Sequence, residues 1–261
     1  MMADVAPKPR RLALTQAGNP PPSQFSWTPN DQCRYTSGFS TSSFTFSDPI
    51  WSTFSVNGTT YTEPFGFVAL GAHGAYLAFR GSQTTADGDM DAEWAQVSYD
   101  SPLGNPPSGM KVGEGFYGVY NGLLASLTSQ LQATQKQGYT NLLLTGHSLG
   151  STLATLAVPL AVSLGFTGFQ YNQASPRVGN PTFASYVSEL SIPTFRLVNI
   201  YDAVPKSPPS IPGREYQAVG LEASYGADYP TEGERHNPCC SYSYALFNGQ
   251  HPYNPDIKRC M

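Results

Sequence analysis

Charge is what this chain is shortest of. Only 12% of its 261 residues are Asp, Glu, Lys or Arg, about half the usual share of roughly 25%. The formal net charge is -4, and no basic stripe exists to neutralise phosphates, which argues against a nucleic-acid partner. Long apolar runs are missing as well. No stretch approaches the ~18 residues that a membrane-spanning helix needs. Residues 1–24 carry basic side chains but no apolar run of ~7–15 residues, so they do not read as a secretory signal. Cysteine is scarce: Cys33, Cys239, Cys240 and Cys260. No C-x-x-C pair occurs, and neighbouring cysteines rarely both reach one tetrahedral ion, so a zinc site of Cys239, Cys240, His236 and His251 is disfavoured. No metal or organic cofactor is expected, and no internal repeat is apparent.

What is present is apolar and uncharged-polar. Hydrophobic residues make up 40% of the chain, enough for a sizeable core, and the length fits one large domain. Residues 1–24, closed by Pro20, Pro21 and Pro22, read as a disordered or draped tail. Residues 25–261 read as a single domain. A surface rich in Ser, Thr, Asn and Tyr rather than ions leans towards an extracellular location, with a monomer expected.

The apolar runs Phe65–Leu70 and Ala75–Arg80 flank the turn Gly71-Ala72-His73-Gly74 and read as an antiparallel hairpin. A polar stretch rich in Asp, Gly and Pro, Ser82–Gly115, follows. Phe116, Tyr120, Leu123, Leu124, Leu127 and Leu131 then recur at helical spacing, with Lys136 and Gly138 marking the end. Asn141–Thr145 reads as a buried strand, and Leu149 onward as an apolar helix that Pro159 should kink or end. Strand Phe169–Ala174, helix Pro181–Leu190, strand Phe195–Ile200 and a further strand near Tyr216–Leu221 complete the pattern. Such alternation implies a mostly parallel sheet with helices on both faces and an antiparallel entry, the outline of an α/β-hydrolase.

Gly146-His147-Ser148-Leu149-Gly150 matches G-x-S-x-G between a strand and a helix, the setting of a nucleophile elbow. A side chain at position 146 or 150 would collide with the neighbouring strand or helix, and the helix N-terminus aims free N–H groups at a developing negative charge. The plainer alternative is a glycine-rich turn around a buried serine. A hydroxyl nucleophile needs a histidine to take its proton and a carboxylate to orient that histidine, in the chain order Ser, acid, His. Asp202 directly follows the strand Phe195–Ile200, where the acid belongs, although it could simply cap the turn at Val204-Pro205. His73 and His147 come too early in the chain to be the base. His236 and His251 remain.

Four segments resemble the fungal-type (class 3) triacylglycerol lipase family. They are Leu77-Ala78-Phe79-Arg80-Gly81-Ser82, the elbow stretch from Tyr139 to Gly150, the Gln173–Ala184 segment containing Ser175-Pro176-Arg177-Val178-Gly179-Asn180, and Arg196–Pro205. They stand in the family's order and cover roughly residues 65–210. The resemblance implies a serine ester hydrolase acting on acylglycerols, with a lipid–water interface as a partner. It puts the nucleophile at Ser148 and the acid at Asp202. It favours His251 over His236 as the base, because the family's base lies near the C-terminus with an aromatic close behind; here Tyr253 comes one residue earlier than usual. The oxyanion donors would be the Leu149 N–H and Ser82, and Cys33–Cys260 is the favoured disulfide.

The resemblance also puts a lid at Gln83–Trp94. That segment holds Asp87, Asp89, Asp91 and Glu93 among few apolar residues, so only modest interfacial activation is expected, with uncharged acylglycerols or soluble esters preferred; a solvated charged loop with no gating role is the plainer alternative. Feruloyl esterase and phospholipase activities on the same scaffold are the alternatives, with a silent binding module a remote one.

Overall fold

The computed structural model of the chain describes residues 41–82 and 94–243. Residues 1–40, 83–93 and 244–261 lie outside, and with them the expected tail, nearly all of the lid segment, Cys33, Cys260 and His251. Strands β1 (Thr45–Phe46), β2 (Ile50–Val56), β3 (Thr59–Gly71) and β4 (Gly74–Phe79) open the chain. A small hairpin follows, β5 (Gln96–Ser98) with β6 (Lys111–Gly113), inside the stretch that composition marks only as polar. Then come α1 (Glu114–Lys136), β7 (Asn141–His147), α2 (Leu149–Ser163), β8 (Thr167–Gln173), α3 (Pro181–Ser188), β9 (Thr194–Asn199), β10 (Leu221–Tyr225) and the single turn α4 (Glu232–Arg235).

Among the described residues the main sheet has eight strands, in the order β1-β3-β4-β7-β8-β9-β10, with β2 also paired to β3. The β3–β4 hairpin is antiparallel, and every pairing from β4 to β10 is parallel. An antiparallel entry followed by parallel crossovers is the α/β-hydrolase outline. The β2–β3 hairpin turns at Asn57-Gly58, both at positive φ (50° and 78°), as a tight two-residue hairpin turn requires.

The helices follow from their apolar stripes. Phe116, Val119, Tyr120, Leu123, Leu127 and Leu131 of α1 are buried, each fully buried side chain contributing roughly 1.5–3 kcal/mol of transfer free energy. Leu124 lies at the edge of that stripe and is half-buried. In α2 every residue from Leu149 to Ala161 is buried. Pro159 does not end this helix, which continues to Ser163. The proline removes the N–H that Thr155 would use. The next carbonyl, of Leu156, accepts the Tyr99 hydroxyl at 3.1 Å.

Side chains of α1, α2 and α3 all enter one large core on the same side of the sheet. The opposite side carries two smaller clusters, around Phe67 and Ala78 near the entry hairpin and around Tyr225 and Tyr242 near the C-terminal ends of the strands. The last strand lies further along the chain than the sequence pattern places it, starting at Leu221. Tyr216 and Val219 are buried, but Gly220 at φ +82° turns the chain between them and the strand. Among the described residues no helix is long and apolar enough to cross a membrane.

Candidate active site

Strand β7 ends at His147, and α2 begins at Leu149, leaving Ser148 alone to make the turn. Its backbone sits at φ 56°, ψ -128°, a strained conformation for a residue with a Cβ. The two glycines make the turn sterically feasible. A Cβ on Gly146 would lie 2.2 Å from the Gly150 carbonyl carbon and 2.5 Å from the Ser151 nitrogen. A Cβ on Gly150 would lie 2.4 Å from the Phe79 oxygen of β4. Position 146 thus faces the start of the helix and position 150 faces the neighbouring strand. The turn is held by the Ser148 N–H donating to Gln173 O at 3.2 Å, and by the Ser151 hydroxyl donating to Ser148 O at 2.6 Å.

Asp202 lies just beyond β9 and is fully buried. Its two oxygens do different work. Oδ1 accepts the Val204 N–H at 2.9 Å, which is the turn cap. Oδ2 faces His236 Nδ1 at 2.8 Å and accepts the Tyr242 hydroxyl at 2.6 Å. Burial alone would push the carboxyl up. The hydrogen bond and charge of His236, the Tyr242 hydroxyl and the Val204 N–H together outweigh burial and hold it below the ordinary aspartate value.

The imidazole between Ser148 and Asp202 belongs to His236: its Nε2 stands 2.9 Å from Ser148 Oγ. Of the two candidate histidines, His236 meets both partners, and His251 lies outside the described residues. The charges around His236 suggest a solvated loop, yet they dock it. Thr231 and Glu234 form a reciprocal capping box that starts α4, and such caps are worth about 1 kcal/mol. Glu232 Oε1 accepts the Ala203 N–H at 2.5 Å, joining α4 to the turn that carries Asp202. Arg235 pairs with Asp228 at 2.8 Å. The Asn199 amide donates to the carbonyls of Ala227 and Arg235 at 2.9 and 3.2 Å, and its oxygen accepts the Ala227 N–H at 3.0 Å.

Two aromatic residues complete the surroundings. Tyr242, in the turn Pro238–Ser243, is held by an Asn199 N–H donated to its hydroxyl at 3.2 Å. Burial and the neighbouring Asp202 charge push that hydroxyl well above the ordinary tyrosine value, so it remains a donor. His147, in the elbow itself, lies against both His236 and Tyr242. Sequence reasoning passes over both: Tyr242 is six residues beyond its neighbouring histidine, and His147 is eliminated as a base by its place in the chain.

The end of β4 reaches the elbow as well. Arg80, at the end of β4, forms a buried pair with Glu63 at 2.6 Å and donates to Pro64 O and Gly81 O at 2.7 and 2.9 Å. Its guanidinium lies 4.1 Å over the Phe65 ring. Gly81 packs so closely on the elbow that a Cβ there would lie 3.4 Å from Ser148 Cβ. Ser82 follows at once, half-buried, and Leu149 opens α2 beside the serine. Among the described residues no cluster of three or more His, Cys, Asp or Glu side chains could hold a metal ion.

Residues 76–211 match the model of the family described as Lipase (class 3). A 147-residue stretch is 40% identical to a lipase of Rhizomucor miehei, spanning 52% of this chain and 38% of that protein. A 107-residue stretch is 33% identical to the secreted mono- and diacylglycerol lipase 1 of Fusarium solani, spanning 41% of this chain and 32% of that one. The alignments thus take in only about a third of each relative's length. The solved Rhizomucor miehei lipase propeptide complex superposes with a TM-score of 0.57 at 32% identity, covering 70% of this chain and 57% of that one. A structure described as a serine protease triad forming the catalytic centre of a triacylglycerol lipase gives the same TM-score and identity, with 66% of that chain covered.

Proposed function

Since the chain belongs to the class 3 lipase family, we propose that it is a serine carboxylic-ester hydrolase whose substrates are acylglycerols. What carries this reading is one line of hydrogen bonds: Asp202 Oδ2 to His236 Nδ1 at 2.8 Å, and His236 Nε2 to Ser148 Oγ at 2.9 Å. In the proposed reaction His236 Nε2 takes the Ser148 proton as Oγ attacks the ester carbonyl. Asp202 keeps Nδ1 protonated and pointing away from the serine, and its buried charge stabilises the imidazolium that forms. The oxyanion is met by the Leu149 N–H at the start of α2 and by Ser82, which Gly81 and the Arg80–Glu63 pair hold beside the elbow. Removing one such donor typically costs ~10²–10³ in turnover. His236 then passes the proton to the leaving alcohol, and water releases the acid from Ser148 by the same route.

Acylglycerol substrates are supported by the names of the relatives, a mono- and diacylglycerol lipase among them. An extracellular site of action fits a relative described as secreted and a surface with few ions. The test is hydrolysis of p-nitrophenyl esters of graded acyl length by the wild type, Ser148→Ala, His236→Ala and His251→Ala. Loss of turnover in the first two variants, with His251→Ala active, is expected. An active His236→Ala beside an inactive His251→Ala would overturn the base assignment. Preference for feruloyl or phospholipid esters over acylglycerols would overturn the substrate class.

A further inference from the structure

His147 is 6% exposed and carries a polar ring that the proposed proton relay does not use. A buried polar group without a partner costs roughly 1–3 kcal/mol, so a leucine or phenylalanine would suit a purely structural position better. The ring has a specific partner. His147 Nε2 lies 2.7 Å from the backbone oxygen of His236, and because a carbonyl only accepts, Nε2 bears the hydrogen. The two imidazoles also face each other, 4.6 Å between centroids and 45° apart, and the Tyr242 ring meets His147 edge-on at 5.6 Å. On its other side, His147 Nδ1 would lie 3.5 Å from a Cβ built on Gly81. One ring thus lies beside Gly81, the backbone of His236 and the tyrosine that donates to Asp202, and its own backbone leads directly into Ser148.

We propose that His147 is a positioning residue for the base, its Nε2–H anchoring the His236 carbonyl so that the His236 ring stays between Ser148 and Asp202. This rests on the reading of Ser148 and His236 as nucleophile and base. The position rewards such an anchor. His236 follows a helix of only four residues, and its segment comes 88 residues after the serine it must meet. A base displaced by about 1 Å can cost on the order of 10² in rate. The anchor must also stay out of the proton relay. Burial, aided by the adjacent His236, holds the His147 pKa down to about 3, so the ring is a neutral donor at neutral pH. Among the described residues, Asp202, Tyr242 and His236 are the titratable groups that face it.

The test compares His147→Phe, which keeps a ring without a donor, with His147→Gln, whose amide nitrogen can reach the same carbonyl. Turnover is expressed per site titrated with a fluorophosphonate, so misfolded protein does not enter the ratio. The Phe variant is expected to lose roughly tenfold or more in kcat and in fluorophosphonate labelling rate, with KM within about twofold. The Gln variant is expected to recover most of both rates. If the Phe variant does not fold, His147→Asn, too short to reach the carbonyl, takes its place. Wild-type rates in the Phe or Asn variant would overturn the proposal, and so would a Gln variant as slow as the one lacking the donor. An unreactive wild type, or an active His236→Ala, would instead defeat the hydrolase reading on which the proposal rests.

Discussion

The Tyr242 hydroxyl and the His236 Nδ1 share one acceptor, Oδ2 of Asp202, at 2.6 and 2.8 Å. The tyrosine therefore bears directly on how the proposed acid is held. Deleting its hydroxyl leaves a fully buried carboxylate one donor short, and hydrogen bonds to charged groups are worth about 1.5–3 kcal/mol. Tyr242→Phe should lower kcat/KM by roughly 10- to 150-fold with KM little changed, as read from p-nitrophenyl ester kinetics. Unchanged kinetics would mean that His236 and the Val204 N–H suffice.

Gly150→Ala adds a methyl group 2.4 Å from the Phe79 oxygen, where backbone meets backbone and no side chain can move aside. Overpacking of this kind costs about 1–3 kcal/mol or more. A fall in Tm of at least ~2–4 °C is expected for a chain of this size, together with loss of ester hydrolysis. Scanning calorimetry beside an activity assay would show whether the elbow tolerates the methyl.

The Arg80–Glu63 pair is buried on both sides, at 4% and 6% side-chain exposure. Removing one partner strands a charge, a cost of about 3–5 kcal/mol, whereas removing both is often far milder. Arg80→Met alone should therefore be markedly less stable in urea than Arg80→Met combined with Glu63→Leu. Equal stabilities would show that the two groups are not coupled.

Stability should fall as the solution is acidified, and the sign is the same for two groups. The unfolded chain protonates His147 near pH ~6.5, but the folded chain does so only at about 3. Between those values the unfolded state binds more protons, so stability rises with pH, by up to an order of 3–5 kcal/mol across the window. Asp202 adds to the trend at lower pH. Its depressed folded value contributes stability above the unfolded value near ~3.9, and that contribution is lost as pH falls through the folded one. Urea midpoints measured from pH 7 to pH 4 should decline in the wild type and decline less in His147→Phe.

Ser148 is legible in the sequence because its geometry is set by local sterics. The glycines at 146 and 150, the strand before and the helix after all lie within a few residues of it. The position of the proposed acid is legible for a related reason, since Asp202 is tied to the end of a strand. The histidine is another matter. Nothing within α4 says that Glu232 will dock on Ala203, or that Asn199 will hold the carbonyls of Ala227 and Arg235, so the meeting of His236 with Ser148 and Asp202 is not written in its local sequence. The misplaced last strand has the same origin. Tyr216 and Val219 look like strand because they are buried, but they are buried in irregular chain. The β2–β3 hairpin, by contrast, was open to prediction. Asn57-Gly58 between Ile50–Val56 and Thr59–Gly71 is a strong local turn signal that a reading centred on the elbow passes over.

Asn199 ends β9, yet its amide holds the chain both before α4 and at its last residue. The segment that delivers His236 is thus tied to the sheet by polar contacts at the ends of β7 and β9 and in the turn after β9, apart from the main core around α1 and α2. Segments anchored in this way open locally at free energies below that of global unfolding. On heating, the histidine would leave the serine while the sheet and its helices were still intact. Activity would then disappear at a lower temperature than the far-UV circular dichroism signal and return on cooling, a reversible inactivation distinct from denaturation.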